Sequence, residues 1–189
     1  QQHLLALPRP EAQRELADLQ AGGRPFVLSL LTVSTHGPDA MLDRSCAFPT
    51  TEGSTLPAAI YCTGCLVEGL IAEIDRLGLA DNTVVAVMSD HLAMRNTLEP
   101  AITAYESADG VRRNFMTLIV PGRAPGRIDK PGTMIDVYPT LLDALGYELE
   151  NDRANMGISL LGARPTLLAS MGAEQLNAAV KGNYHLQSY

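Results

Sequence analysis

Two short apolar runs, FVLSLLTV at residues 26–33 and TVVAVM at 83–88, flank a longer stretch with helical periodicity. That succession constrains the fold more than any other feature of the chain. Neither run alternates with polar residues, the pattern of strands covered on both faces. Between them Ile60, Val67, Ile74 and Leu77 mark one helical stripe, with Thr63/Gly64 and Leu70/Ile71 at the intermediate turns. Glu68, Glu73 and Arg76 fall on the outward face. Pro57 suits a first helical turn, Thr55 is placed to cap it, and Gly78 is placed to end it. Strand, long helix, strand is the order of a βαβ unit and predicts an α/β domain.

The remaining chain extends this pattern. Residues 11–20 predict a short helix burying Ala12, Leu16 and Leu19, stopped by Gly22 and Gly23. Residues 40–55 lack periodicity and are assigned to a surface excursion. A third strand is expected at 115–120, closed by Pro121 and Gly122, with a loop over 122–132. Asp136 is placed to cap a further helix with Pro139 in its first turn. Val137, Leu141, Leu142 and Leu145 would supply its buried stripe, and Gly146 its stop. Ser159 to Gly162 is expected to be a short ordered loop, and residues 166–189 an irregular tail.

In open α/β sheets, ligands gather beyond the carboxyl ends of the strands. The first run ends in THGPD, delivering His36, and the second in SDH, delivering Asp90 and His91. A carboxylate oxygen and a neutral imidazole nitrogen together suit an intermediate divalent cation. Two donors do not fill a coordination sphere, so further ligands would have to come from elsewhere. Spacing alone also allows a helix cap at Asp90 and an ordinary polar role for His91, or direct proton transfer by either. His36 can equally hydrogen-bond its own loop. Arg44 and Arg95 could neutralise a phosphate, or simply be solvated. Neither G-x-S-x-G nor a P-loop occurs.

Charge narrows the partners. Among 189 residues, 14 are basic and 21 acidic, a net charge of −7. Without a basic cluster that could follow a phosphate backbone, no nucleic-acid partner is expected. The longest apolar runs, residues 26–31 and 83–88, are too short to span a bilayer. The opening QQHLL is taken as that of a mature chain or an excised segment. The three cysteines, Cys46, Cys62 and Cys65, fit one disulfide with a free thiol, or three thiols. The Cys62-x-x-Cys65 spacing suits a redox pair or half a zinc site, without a second pair to complete the latter.

THGPD, SDHLAMRNT and IDVYPTLLDALG, with RSC and a helix containing YC in the same order, resemble the later part of the alkaline phosphatase and sulfatase superfamily. Within it they resemble phosphoglycerol transferase I and the related polyglycerolphosphate synthases, over roughly residues 24–162. The resemblance implies a three-layer α/β/α fold with a largely parallel central sheet, incomplete on its N-terminal side. Residues 1–165 would be the C-terminal portion of the catalytic domain.

It further implies metal ligation by Asp90 and His91, to manganese or alternatively zinc or magnesium, and contact of His36 with a substrate phosphate. Cys46 and Cys62 would form a disulfide, leaving Cys65 as a small buried helix residue. The implied reaction of the complete enzyme passes phosphoglycerol from phosphatidylglycerol, or a glycerophosphate donor, to periplasmic glucans. Its location would be the periplasmic face of a Gram-negative inner membrane, with membrane attachment through segments outside this chain. The family's threonine nucleophile and an acidic metal ligand precede the matched segment, and nothing in residues 1–23 fits those roles. Water as acceptor would make the enzyme a sulfatase-like or phosphodiesterase hydrolase. A noncatalytic binding module is the remaining alternative.

Overall fold

The computed structural model describes residues 2–5, 9–36, 40–42, 55–91 and 113–167. The chain divides into two compact units, residues 1–83 with 90–114, and residues 84–89 with 115–189. Strands and helices mix as expected for an α/β protein.

In the first unit, β1 (Gln2–Leu5) pairs in parallel with β2 (Val27–Leu30), with Gln2 opposite Val27 and Leu5 opposite Leu30. The intervening α1 (Arg9–Ala21) buries Ala12 and Leu16, two of the three positions its periodicity selects. The Gly22 amide donates to the Asp18 carbonyl, and Gly23 turns the chain with φ of 63°. β1 has no counterpart in the sequence analysis, because a four-residue strand offers too little pattern to detect.

α2 (Leu56–Arg76) spans the expected residues, and its burial follows the aliphatic stripe only in part. Ala58, Ala59, Gly69 and Ile74 are buried, whereas Ile60 is 57% exposed. The Gln13 amide of α1 donates to the Gly69 carbonyl at 3.1 Å. By length and composition α2 is also apolar enough to cross a membrane, unlike the shorter runs considered above.

The N-terminus of α2 differs from expectation as well. Thr55 makes no side-chain cap; its hydroxyl donates instead to the Ala40 carbonyl at 2.6 Å. The C-terminus closes as the glycine predicts. Gly78 adopts φ of 70°, its amide donates to Asp75 and the Leu79 amide to Ile74, the paired bonds of a Schellman motif. In the last turns, Arg76 holds the Glu73 carboxylate in a two-pronged contact and its pKa below the ordinary range. A depressed carboxylate pKa favours the fold above the unfolded pKa, and that contribution disappears as pH falls through the lower folded value.

In the second unit, β3 (Val85–Met88) runs antiparallel to β4 (Met116–Ile119), with Val85 opposite Ile119. β5 (Arg153–Ala154) and β6 (Gly157–Ile158) form a second antiparallel pair. Among the described residues β2 therefore pairs with β1 and β3 with β4, not with each other. The strands are also not covered on both faces. Exposed and half-buried residues alternate along β2, β3 and β4. Uninterrupted apolar sequence specified strand, but a two-stranded ladder by itself cannot cover both of its faces.

The core of this unit is polar at its centre. Asp136 stands at the expected N-cap position of α3 (Val137–Ala144) but makes no side-chain cap there; its carboxylate instead completes a capping box with Thr133, the N-cap of the 3₁₀ turn Met134–Asp136. Its carboxylate accepts from the Thr133 amide at 2.8 Å and from the Ile158 amide of β6 at 2.9 Å. Thr140 donates to the Asp136 carbonyl and accepts from the Leu160 amide at 2.9 Å. Pro139 and Thr140 are the buried residues of α3, while Leu145 of the expected stripe is 54% exposed. Gly157 is required by close approach, since a Cβ there would lie 2.0 Å from the Ile135 carbonyl oxygen. Gly146, with φ of 83°, ends α3 where expected.

Lys130 lies in the expected 122–132 loop. Its ammonium donates to the carbonyls of Ser159 and Gly162, each at 2.7 Å, and of Arg164 at 2.9 Å. All three protons are thus used to hold the loop after β6. Thr166 is likewise held, buried with its hydroxyl donating to Pro131, so order extends past the expected start of the tail. Residues 168–189 lie outside the described residues. Lys130→Met keeps the aliphatic stem and removes the donors. It is expected to cost about 2 kcal/mol and to speed amide exchange in residues 159–164. Unchanged exchange there would show that water serves those carbonyls equally well.

Candidate metal centre

The end of β3 is fixed before Asp90 and His91 begin. The Ser89 amide donates to the Phe115 carbonyl at 3.0 Å, and the Phe115 amide donates to the Ser89 hydroxyl at 2.9 Å. The same hydroxyl lies 3.3 Å from the Phe115 carbonyl. A serine side chain thereby extends the β3–β4 ladder by one position. Periodicity does not single out Ser89; its one signal in the sequence is a hydroxyl residue directly between the apolar run and the charged pair.

Asp90 and His91 follow and fold onto each other. The His91 amide donates to Asp90 Oδ1 at 3.0 Å, which turns the carboxylate toward the ring. His91 Nε2 then stands 3.4 Å from Asp90 Oδ2, with the two side chains 42% and 66% exposed. Donors each about 2.1 Å from a common metal, at angles between octahedral and tetrahedral, lie roughly 3.0–3.4 Å apart. The pair thus has the bite of two adjacent ligands and the mixed oxygen–nitrogen chemistry that suits zinc or manganese. Among the described residues, no group of three or more His, Cys, Asp or Glu side chains could hold a metal ion. Two donors alone would leave the coordination sphere of a zinc or manganese ion unfilled.

His36 is exposed beyond β2, in a turn closed by its amide donating to the Val33 carbonyl at 3.1 Å. The Met41 amide donates to Ser34 at 3.0 Å, closing the same loop at its base. Gly37, Pro38 and Asp39, like Arg44 and Arg95, lie outside the described residues. A parallel β2–β3 ladder, which would have set His36 beside Asp90 and His91 on one rim, does not occur among the described residues. A small cleft lined by Asp18, Leu19, Gly22, Arg24, Pro25 and Phe26 contains none of the three candidates. On α2, Cys62 is disulfide-bonded and Cys65 is a free, half-buried thiol. Cys46 lies outside the described residues.

The sulfatase family profile matches residues 9–147, which is most of the chain and includes both strand-end motifs. This chain belongs to the sulfatase family. It is 30% identical over 166 residues to phosphoglycerol transferase I of Xanthomonas axonopodis pv. citri, covering 85% of this chain and 22% of that protein. It is also 30% identical over 154 residues to lipoteichoic acid synthase 1 of Bacillus subtilis, covering 74% of this chain and 24% of the other. The crystal structure of the lipoteichoic acid synthase LtaP from Listeria monocytogenes superposes with a TM-score of 0.60 at 20% identity, covering 74% of this chain and 38% of that one. At that identity the likeness is one of fold.

The chain spans between a fifth and a quarter of the length of these two curated relatives. It is a member of a catalytic superfamily, related to phosphoglycerol transferases and lipoteichoic acid synthases.

Proposed function

We propose that this chain supplies two metal ligands and a phosphate-binding histidine to an enzyme that transfers phosphoglycerol. The donor would be phosphatidylglycerol or a glycerophosphate, and the acceptor a periplasmic glucan. The observation that carries this reading is the 3.4 Å approach of His91 Nε2 to Asp90 Oδ2 at the end of β3, in a chain of the sulfatase family.

Asp90 would present an anionic oxygen and His91 a neutral Nε2, the Asp90–His91 amide contact holding the two donors on one side of the chain. A bound divalent ion, manganese or alternatively zinc or magnesium, would supply Lewis-acid stabilisation of phosphoryl oxygens. His36 would donate a hydrogen bond to a non-bridging phosphate oxygen and so orient the phosphorus for in-line attack. The location would be the periplasmic face of an inner membrane. Likeness to phosphoglycerol transferase I supports glucan as acceptor, while the family match equally suits water, which would make the reaction a hydrolysis.

Adding Mn²⁺ to the isotopically labelled chain tests the ligand assignment. Paramagnetic broadening is expected first at Asp90 and His91, and at His36 if it shares the site. If the His91 ring signals stay sharp while other residues broaden, the assignment fails. Product analysis of the complete enzyme with phosphatidylglycerol, with and without glucan, separates transfer from hydrolysis.

A further inference from the structure

In an antiparallel ladder, residues that exchange two backbone hydrogen bonds alternate with residues that exchange none. The β3–β4 register sets Met88 opposite Met116, so Ser89 falls opposite Phe115. The Ser89 amide donates to the Phe115 carbonyl at 3.0 Å, which marks this as a closely bonded pair. Regular pairing would return the Phe115 amide to the Ser89 carbonyl. That amide goes instead to the Ser89 hydroxyl, at 2.9 Å. The side chain has taken the place of its own carbonyl.

This substitution bears on the two residues that follow. Successive side chains of an extended strand point to opposite faces. Had the strand run on, Asp90 and His91 would stand on opposite sides of it and could not share a cation. The chain bends at both residues instead. The His91 amide donates to Asp90 Oδ1 at 3.0 Å, and Nε2 stands 3.4 Å from Oδ2. A bend directly after a strand withdraws the last carbonyl from the ladder, and the amide facing it then needs another acceptor. The Ser89 hydroxyl is that acceptor.

We infer that Ser89 is a positioning residue for the Asp90–His91 pair. Its hydroxyl completes the ladder in place of the carbonyl, and the bend that this permits brings carboxylate and imidazole to one side of the chain. Asp90 and His91 would touch the ion, and Ser89 acts through them. The inference rests on the metal reading of that pair and adds a requirement, an acceptor on the side chain of residue 89. Without a hydroxyl there, regular pairing offers the Phe115 amide the carbonyl of residue 89. Taking it extends the strand and turns Asp90 and His91 apart.

Binding of Mn²⁺ to the complete enzyme, read from the electron paramagnetic resonance signal of the free ion, tests this without turnover. Ser89→Ala is expected to raise the Mn²⁺ dissociation constant about 10–100-fold, the usual effect of removing a group that orients a metal ligand. Ser89→Thr keeps the hydroxyl and should bind nearly as the wild type does. Hydrogen exchange along β3 and β4 should be unchanged in both variants, because the pairs from Val85–Ile119 to Met88–Met116 keep their register. Asp90→Ala, measured alongside, shows what losing a ligand does. If it weakens binding and Ser89→Ala does not, the inference fails and the metal reading stands. If neither variant weakens binding, both fail. Faster exchange along the ladder in Ser89→Ala, or no recovery in Ser89→Thr, would make Ser89 a prop for the strand pair and also overturn the inference.

Discussion

Replacing Asp90 with alanine in the complete enzyme is expected to lower phosphoglycerol transfer by about 10³-fold or more, equivalent to ~4 kcal/mol of transition-state stabilisation. The loss would not come from unfolding. The Asp90 side chain is 66% exposed and its contact among the described residues is with His91, so the change in stability should stay within about 0.5 kcal/mol. His91→Ala should behave in the same way, because a metal held by both donors loses its seat with either. Asp90→Asn separates charge from shape: it keeps an oxygen in place and removes the anion. If the carboxylate binds a cation, activity in that variant should return partly at high Mn²⁺ concentration. Near-normal transfer by either alanine variant rejects the metal assignment.

Asp136→Ala should do the reverse, damaging the fold before the chemistry. Asp136 is 1% exposed, and its carboxylate accepts from the Thr133 amide, the Thr133 hydroxyl and the Ile158 amide. Truncation would leave the buried Ile158 amide without a partner and loosen β6 from the 3₁₀ turn that precedes α3. Hydrogen bonds to an ionised acceptor contribute about 1.5–3 kcal/mol each and are not additive here, so a loss of about 4 kcal/mol is expected. That is a large part of the stability of an ordinary domain. Amide exchange in residues 134–160 should accelerate toward the unfolded rate. Asp136→Asn, which keeps one acceptor but turns an N–H toward a donor, should fall between. A wild-type exchange pattern in Asp136→Ala would show that water can replace the carboxylate.

Much of this was legible in the chain. Gly78 and Gly146 marked the ends of α2 and α3 because helices terminate readily in a left-handed residue, a local requirement that sequence expresses directly. The span of α2 followed from its periodicity. Its buried face followed only in part: Ile74 of the apolar stripe is buried, but so are Ala58, Ala59 and Gly69, which hydrophobic periodicity does not select. Asp136 was legible as a cap but not as the centre of a core, because its second partner, Ile158, lies 22 residues away.

The candidate site divides in the same way. Sequence alone determined that Asp90 and His91 stand at the end of an apolar run, and it carried the family signature. Their convergence to 3.4 Å needed a backbone turn and an amide contact that no spacing specifies. The anchor at Ser89 needed β4 to arrive antiparallel from 26 residues away. Residue order fixes which groups can meet locally, through short-range sterics and periodicity. Pairing between distant segments depends on which buried faces and unsatisfied backbone groups find each other, and only the tertiary structure decides that.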